Sequence, residues 1–421
     1  MKILLISYYF PPYNSVGAIR PGRFARFLHE RGHDVTVISG PQPFPKGIDL
    51  EIPVNQVHYP QAHSLAGSIQ KFIRSIDQAS STGHRSVDGN GNLKDWLKRQ
   101  VRYWLFWPDA QRGWVKAAFK TGCVLMREQR FDLIYCSAPS FSGLRVAHKL
   151  HQRFSVPWIA EYRDLWTDNH YFSSPFPKAV IEKYWERSIL TDTSAIVTVS
   201  QPLADIMRKH DKPVWVIKNG FDPQEFACLP DKPKDAEHGL NIVFTGNVYK
   251  QNNDLDCLCQ GIKQFIVAGG DAKLSVAGRN IAPLIKAAQR TGIANHVDCK
   301  YLLERQQALH LQKSADVLVL FLWGGGNQGI AGTKLYEYSG AKNPILAIGS
   351  KENDQAAIIG EAGLGDVAEN PEQVARCLKA WQREKEKNGQ TLFRQKQDVD
   401  FTRAHQFRML EAQLLEMIEK N

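Results

Sequence analysis

The residues best suited to do chemistry lie in FLWGGGNQGIAGTKLYEYSGAKNPILAIGS, where an apolar run delivers a glycine-rich loop, Gly324 to Gly332, and then a helix. Thr333 reads as the N-cap of that helix, with Lys334 and Glu337 following it. Residues at i and i+3 share a helix face, so one ligand can meet both side chains. Backbone amides at the helix start, together with the Lys334 ammonium, would neutralise a diphosphate. The Glu337 carboxylate can accept from two adjacent sugar hydroxyls. That pattern suits a nucleotide, with its phosphate and ribose ends. The plainer alternative is an i,i+3 ion pair on a solvated helix.

Other loops carry weaker signals of the same kind. FPPYNSVGAIRPGRFARFL puts Gly17 in a loop just before a helix, where a glycine lets backbone approach a ligand or simply turns the chain. IVFTGNVYKQNN follows a strand with Gly246, Asn247 and Lys250, and VAGRN places Gly278 and Arg279 at the same predicted sheet edge. A surface ion pair is the commoner fate of such an arginine. VPWIAEYRDLWTDN sets Glu161, Arg163 and Asp164 at the end of a buried strand, where charged groups face a ligand crevice. Arg163 and Asp164 could equally neutralise each other. In IKNGFD, Asn219, Gly220 and Asp222 suit a hinge as well as a ligand contact. No G-x-G-x-x-G opens a helix after the first strand, which disfavours an ordinary dehydrogenase fold.

These loops need strands to hold them. Short β-branched runs alternate with amphipathic stretches, the pattern of parallel strands joined by helices. Strands are predicted at Lys2 to Ser7, Asp34 to Ser39, Leu133 to Ser137, Trp158 to Tyr162, Ala195 to Ser200 and Val214 to Lys218. A second series runs through Ile242 to Thr245, Lys273 to Ala277, Val297 to Tyr301, Val317 to Leu322 and Pro344 to Ile348. Helical spacing marks Pro21 to Arg31 and Ser140 to Arg153. The fold class is therefore α/β, with two sandwiches in tandem. The boundaries read from this pattern are a first domain over 1–218, a linker over 219–240 with three prolines, a second domain over 241–400, and a last helix over 401–421.

The first domain carries an insertion over 61–120. Its early part, including SSTGHRSVDGNGN, reads as a long surface loop. Residues 94–120 then hold seven Lys and Arg against two Asp, half of the chain's net charge of +10. Within 94–107, Leu97, Val101, Trp104 and Leu105 form an apolar stripe beside Lys98, Arg99 and Arg102. Such a helix can lie on an anionic membrane or pack on the domain. A +10 chain of 421 residues favours anionic partners, but no nucleic-acid-binding motif interleaves with the basic residues. Seven cysteines without a C-x-x-C fit a reducing compartment. The opening MKILLISYYFPP reads as a buried strand of a cytoplasmic protein, and no apolar run approaches bilayer length.

In their order, YYFPPYNSVGAIRP, SAPSFSGLRVAHKL, VPWIAEYRDLW, VTVSQPLADIM, IKNGFD, FTGNVYK, VAGR and GTKLYEYSGAKNPILA resemble the retaining nucleotide-sugar glycosyltransferases of family four. The resemblance covers nearly the whole chain. It implies the GT-B fold: two Rossmann-like domains facing across a cleft, the C-terminal helix crossing back to the first. It further implies transfer of a sugar from a nucleoside diphosphate, UDP favoured over GDP, to a saccharide or lipid-linked acceptor hydroxyl. The anomeric configuration would be retained, and the setting would be bacterial capsule, O-antigen or exopolysaccharide synthesis.

By the same resemblance, Glu337 matches the second glutamate of an E-x7-E motif that binds the donor ribose, while Gly329 replaces the first. Arg163 or Asp164 stands where many members have a histidine, and both join Lys334 as catalytic candidates. Gly17, Gly246, Asn247, Lys250, Arg279, Gly332, Thr333, Lys334 and Glu337 are the donor-binding candidates, with Lys250 or Arg279 supplying a second cation. The donor is a co-substrate, and neither a cofactor nor a metal is expected. The expected location is cytoplasmic, with peripheral contact on the inner membrane through 94–107. A non-catalytic nucleotide-sugar or polyanion binder, or a GT-B sugar-nucleotide epimerase, are the alternatives.

Overall fold

A computed structural model of the chain describes residues 1–13, 15–41, 52–53, 56–61, 108–169, 176–232, 239–248, 254–322 and 332–420. The predicted 94–107 stripe, nearly all of the 61–92 loop, Lys250 and Gly329 lie outside those residues. The chain divides into unit 1, Met1–Ile217 with Phe407–Asn421, and unit 2, Lys218–Gln406.

In unit 1, KILLIS forms β1 (Lys2–Ser7), in which Ile3, Leu4, Leu5 and Ile6 are all buried. Burial of consecutive residues means that both faces of the strand are covered, as in a parallel sheet with helices on each side. Ser15 caps helix α1 (Val16–Glu30) by accepting from the Gly17 amide at 3.2 Å. The chain returns as β2 (Asp34–Ser39), parallel to β1 in register from Lys2↔Asp34 to Ser7↔Ser39. A two-residue strand β3 (Val57–His58) extends that edge.

After helix α2 (Val115–Glu128), β4 (Leu133–Ala138) pairs with the other side of β1. Helix α3 (Ser142–Phe154), β5 (Trp158–Tyr162), α4 (Lys178–Leu190), β6 (Ala195–Thr198), α5 (Gln201–Met207) and β7 (Val214–Val216) follow. The strand order β3-β2-β1-β4-β5-β6-β7 reverses direction between β1 and β4. Connections leave that point on opposite faces, which opens a crevice at the carboxyl ends of the two strands.

Unit 2 repeats the scheme. Helix α6 (Pro223–Ala227) precedes β8 (Leu240–Thr245), α7 (Asp254–Val267), β9 (Ala272–Ala277), α8 (Ala282–Thr291) and β10 (Val297–Tyr301). Then come α9 (Arg305–Lys313), β11 (Val317–Phe321), α10 (Thr333–Ala341), β12 (Ile345–Ile348), α11 (Asp354–Ala362), β13 (Gly365–Ala368) and α12 (Pro371–Asn388). The order β10-β9-β8-β11-β12-β13 is all parallel and reverses between β8 and β11. Both sheets are Rossmann-like, as the α/β reading expected.

Two details differ from the sequence reading. The predicted linker begins as part of unit 2: Phe226 is buried against Tyr336 and its neighbours, and the Phe221 amide donates to the Phe401 carbonyl at 3.1 Å. Two phenylalanines anchor a stretch whose prolines and charges show no periodicity. The last helix, α13 (Arg403–Glu419), sends Phe407, Leu410 and Leu414 into the unit 1 core beside Phe24, Ile3 and Leu5. It starts at the edge of unit 2, so residues 401–406 belong there.

Candidate functional site

The reversal in unit 2 lies between Thr245, the last residue of β8, and the chain leaving β11 for α10. Lys334 and Glu337, on the first turns of α10, come back over the end of β8. The Lys334 ammonium donates to Glu337 Oε1 at 2.8 Å and approaches Thr245 Oγ1 at 3.3 Å. Gln312, fully buried on α9, donates from the same Nε2 to Glu337 Oε1 at 2.6 Å and Thr245 Oγ1 at 2.9 Å. Arg305, seven residues earlier on α9, donates to Glu337 Oε2 at 3.2 Å. Its Nε and Nη2 donate to the two oxygens of Glu225 on α6, at 2.8 and 2.6 Å. The Tyr338 hydroxyl accepts from the Thr245 amide at 3.1 Å and fixes the strand end.

Burial would raise the Glu337 carboxyl, but Lys334 and Arg305 beside it and the bonds from Lys334 and Gln312 override burial and hold it at about 2. Lys334 shows the converse: burial disfavours its charge, and Glu337 outweighs that to raise its pKa. The site therefore holds an ionised carboxylate and an ammonium in contact, with side chains 15% and 35% exposed. Both remain within reach of a ligand.

Gly246 follows Thr245, with a Lys334 side-chain carbon 3.6 Å from where its Cβ would lie. At Gly278, after β9, a Cβ would lie 1.9 Å from the Gly246 carbonyl oxygen, so the two loops touch through backbone and Gly278 admits no side chain. Asn247 and Arg279 are exposed, and Arg279 has no ion pair among the described residues. Gly332 caps α10 through its backbone and Thr333 is the first helical residue, so Thr333 is not the N-cap the sequence suggested. The cap makes no side-chain bond. Lys334 and Glu337 do form the i,i+3 pair of the plainer reading, but inside a network with Thr245, Gln312 and Arg305 rather than on a solvated face.

The unit 1 reversal is occupied differently. Gly17 lies inside the first turn of α1, not in the loop before it; its amide is spent on Ser15. Arg163 makes no direct ion pair with Asp164, though the two charges attract. Its guanidinium donates to the carbonyls of Gly17, Ala138 and Pro139 at 2.7, 3.0 and 3.1 Å, strapping the α1 start to the end of β4. Asp164 is exposed. Behind Arg163, Arg20 donates to Glu161 Oε1 at 2.9 Å and to the Ile217 carbonyl at 2.9 Å, and Ser137 donates to Glu161 Oε2. Arg20 and Glu161 are buried.

Residues 85–225 match the family described as Glycosyltransferase Family 4. That match spans about a third of the chain, within the first unit and its exit into the second. No curated protein sequence matches it significantly. Among solved structures, the chain is similar to Alr3699/HepE of Anabaena in complex with UDP and glucose, at 14% identity and a TM-score of 0.56 over 100% of this chain and 98% of that one. It is similar to the lipopolysaccharide outer core galactosyltransferase WaaB, with 11% identity, a TM-score of 0.58 and 99% of each chain covered. A UDP-N-acetylglucosamine 2-epimerase from Listeria monocytogenes matches at 11% identity and a TM-score of 0.56, over 100% of this chain and 98% of that one. At such identities the structural matches speak to the fold alone, the GT-B fold, which this chain shares.

Arg305, Gln312, Thr245 and Glu225 went unread in the sequence. Thr245 could have been found as the last residue before Gly246. Arg305 and Gln312 share a face of α9 at i and i+7, in a helix so polar that nothing marks Gln312 as buried. Among the described residues no cluster of His, Cys, Asp or Glu could hold a metal, and no helix is long and apolar enough to cross a membrane.

Proposed function

We propose that this chain transfers a sugar from a nucleoside diphosphate sugar, UDP favoured over GDP, to a hydroxyl of a saccharide or lipid-linked saccharide, with the anomeric configuration retained. Bacterial capsule, O-antigen or exopolysaccharide synthesis is the setting. The observation that carries this reading is the Lys334 and Glu337 pair over the end of β8, an ammonium for the diphosphate touching a carboxylate for the ribose. The solved UDP complex of HepE supports the choice of base.

On this reading the chain's own residues act through charge. Lys334 offsets the negative charge that grows on the departing diphosphate, and Arg279, exposed on the neighbouring loop, adds a second cation. The leaving phosphate oxygen takes the acceptor proton as the new glycosidic bond forms, so no protein nucleophile is required. Arg163 and Asp164 keep only a supporting part: Arg163 is spent on backbone carbonyls and shapes the unit 1 reversal.

The test is release of free UDP from UDP-sugars in the presence and absence of saccharide acceptors. Transfer requires acceptor-dependent release that falls at least tenfold in Lys334→Ala and Glu337→Ala. Unchanged turnover in both variants would falsify this site. The epimerase match favours one second reading, in which an isomerised sugar appears without any acceptor.

A further inference from the structure

The Glu337 carboxylate has about four positions at which it can accept a hydrogen bond. Three are filled: two on Oε1, from Gln312 and Lys334, and one on Oε2, from Arg305. One position on Oε2 is left. Lys334, with three donors, spends two on Glu337 and Thr245 and has one over. Resting, the pair can meet one phosphoryl oxygen and one sugar hydroxyl. A ribose diol brings two hydroxyls, so the second needs a position on Oε1 to open.

The three donors differ in their freedom to leave. Gln312 is fully buried, and its two N–H groups are divided between Glu337 and Thr245. Arg305 is clamped by two bonds to Glu225. Lys334 is held by Glu337 and a long contact to Thr245, on a flexible side chain 35% exposed. A diphosphate is the natural competitor for its ammonium.

We propose that Arg305 and Gln312 are positioning residues that keep Glu337 fixed, while Lys334 passes from Glu337 to the donor diphosphate and thereby frees the acceptor for the second ribose hydroxyl. The two ends of the nucleotide are then read together: the second hydroxyl contributes only when the diphosphate has drawn Lys334 away. This rests on the donor-site reading above and extends it to how the site tells a ribonucleotide from its deoxy analogue.

The experiment measures binding of four probes by calorimetry, with competition for the weak ones: UDP, 2′-deoxy-UDP, uridine and 2′-deoxyuridine, with the guanosine series in parallel. The expected result is a loss of tenfold or more on removing the 2′-hydroxyl from the diphosphate, against less than twofold for the nucleoside. In Lys334→Met, where Oε1 is open from the start, the two losses become equal. Gln312→Leu and Arg305→Met, which let the carboxylate move, shrink the diphosphate-series loss, whereas Arg305→Lys, which cannot grip Glu225 with two bonds, recovers it only in part. Equal losses in the unaltered protein, or a Lys334→Met variant that keeps the original difference, overturn the proposal and leave the donor site standing. Failure of both diphosphates to bind, or binding indifferent to Lys334 and Glu337 together, overturns the donor site itself and this proposal with it.

Discussion

Both units place one carboxylate and two cations at the point where their strand order reverses, and they use that inventory in opposite ways. In unit 1, Glu161 and Arg20 are buried, Ser137 takes the second oxygen of Glu161, and Arg163 is committed to three carbonyls. In unit 2, Glu337 keeps an open acceptor position, Lys334 keeps a donor, and both retain exposure. The difference teaches that charge at a strand's carboxyl end is no mark of a ligand site. What matters is whether hydrogen-bonding capacity is left over once the fold has taken its share.

The comparison is broken most forcefully in unit 1. Glu161→Ala takes the carboxylate partner from the buried Arg20 guanidinium, and unfolding by urea is expected to show a loss of about 3–5 kcal/mol. A loss under about 1 kcal/mol would mean that the cluster is not the sealed structural pair described here.

Acid tests the unit 2 carboxylate. Glu337 is held at about 2 in the folded chain against 4.5 ordinarily, so its contribution is complete above about pH 5 and fades as pH falls through about 2. Between pH 7 and pH 3 that amounts to roughly 2 kcal/mol of stability. Glu337→Gln is expected to show a flatter decline by that amount. Parallel declines in the two proteins would show that the carboxylate is not held ionised by its neighbours.

A third measurement separates binding from stability. Lys334→Met leaves Glu337 with Arg305 and Gln312, so it is expected to cost about 1 kcal/mol of stability or less. Removing a charged hydrogen bond to a phosphate is expected to cost tenfold or more in UDP affinity. The reverse pattern, with large destabilisation and intact affinity, would place unit 2 in the same class as unit 1. The smallest effect is expected at Arg279: Arg279→Ala should leave stability within about 0.5 kcal/mol and weaken UDP about threefold. No change in UDP affinity would remove it as the second cation.

Much of the fold could be read directly. Strands such as Lys2–Ser7, Asp34–Ser39, Trp158–Tyr162 and Val317–Phe321 fall where short apolar, β-branched runs place them, because a strand covered on both faces must be largely apolar. The strands that escaped notice are edge strands. Val57–His58 is two residues long, and Gly365–Ala368, GDVA, has too few apolar residues to stand out. Edge strands are covered on one side only and are recruited by a neighbour's hydrogen bonds rather than by their own composition. Likewise, 219–232 reads as a linker because its prolines and charges outnumber its two anchoring phenylalanines. In the site, Lys334 and Glu337 are legible since both their chemistry and their contact are local to one helix. Arg305 and Gln312 are not, since their partner lies about thirty residues away in sequence.

The sequence by itself determined the two α/β units, the glycine loops at the strand ends and the pairing of an ammonium with a carboxylate on one helix face. These follow from periodicity and from spacing along a single element. Only the tertiary structure decided which charges were spent. It set the Arg163 guanidinium across backbone carbonyls, and it brought Gln312 and Arg305 to Glu337. The physical reason is that hydrogen-bonding capacity is consumed by neighbours in space, and which neighbours those are depends on strand order and helix packing rather than on any local run of residues.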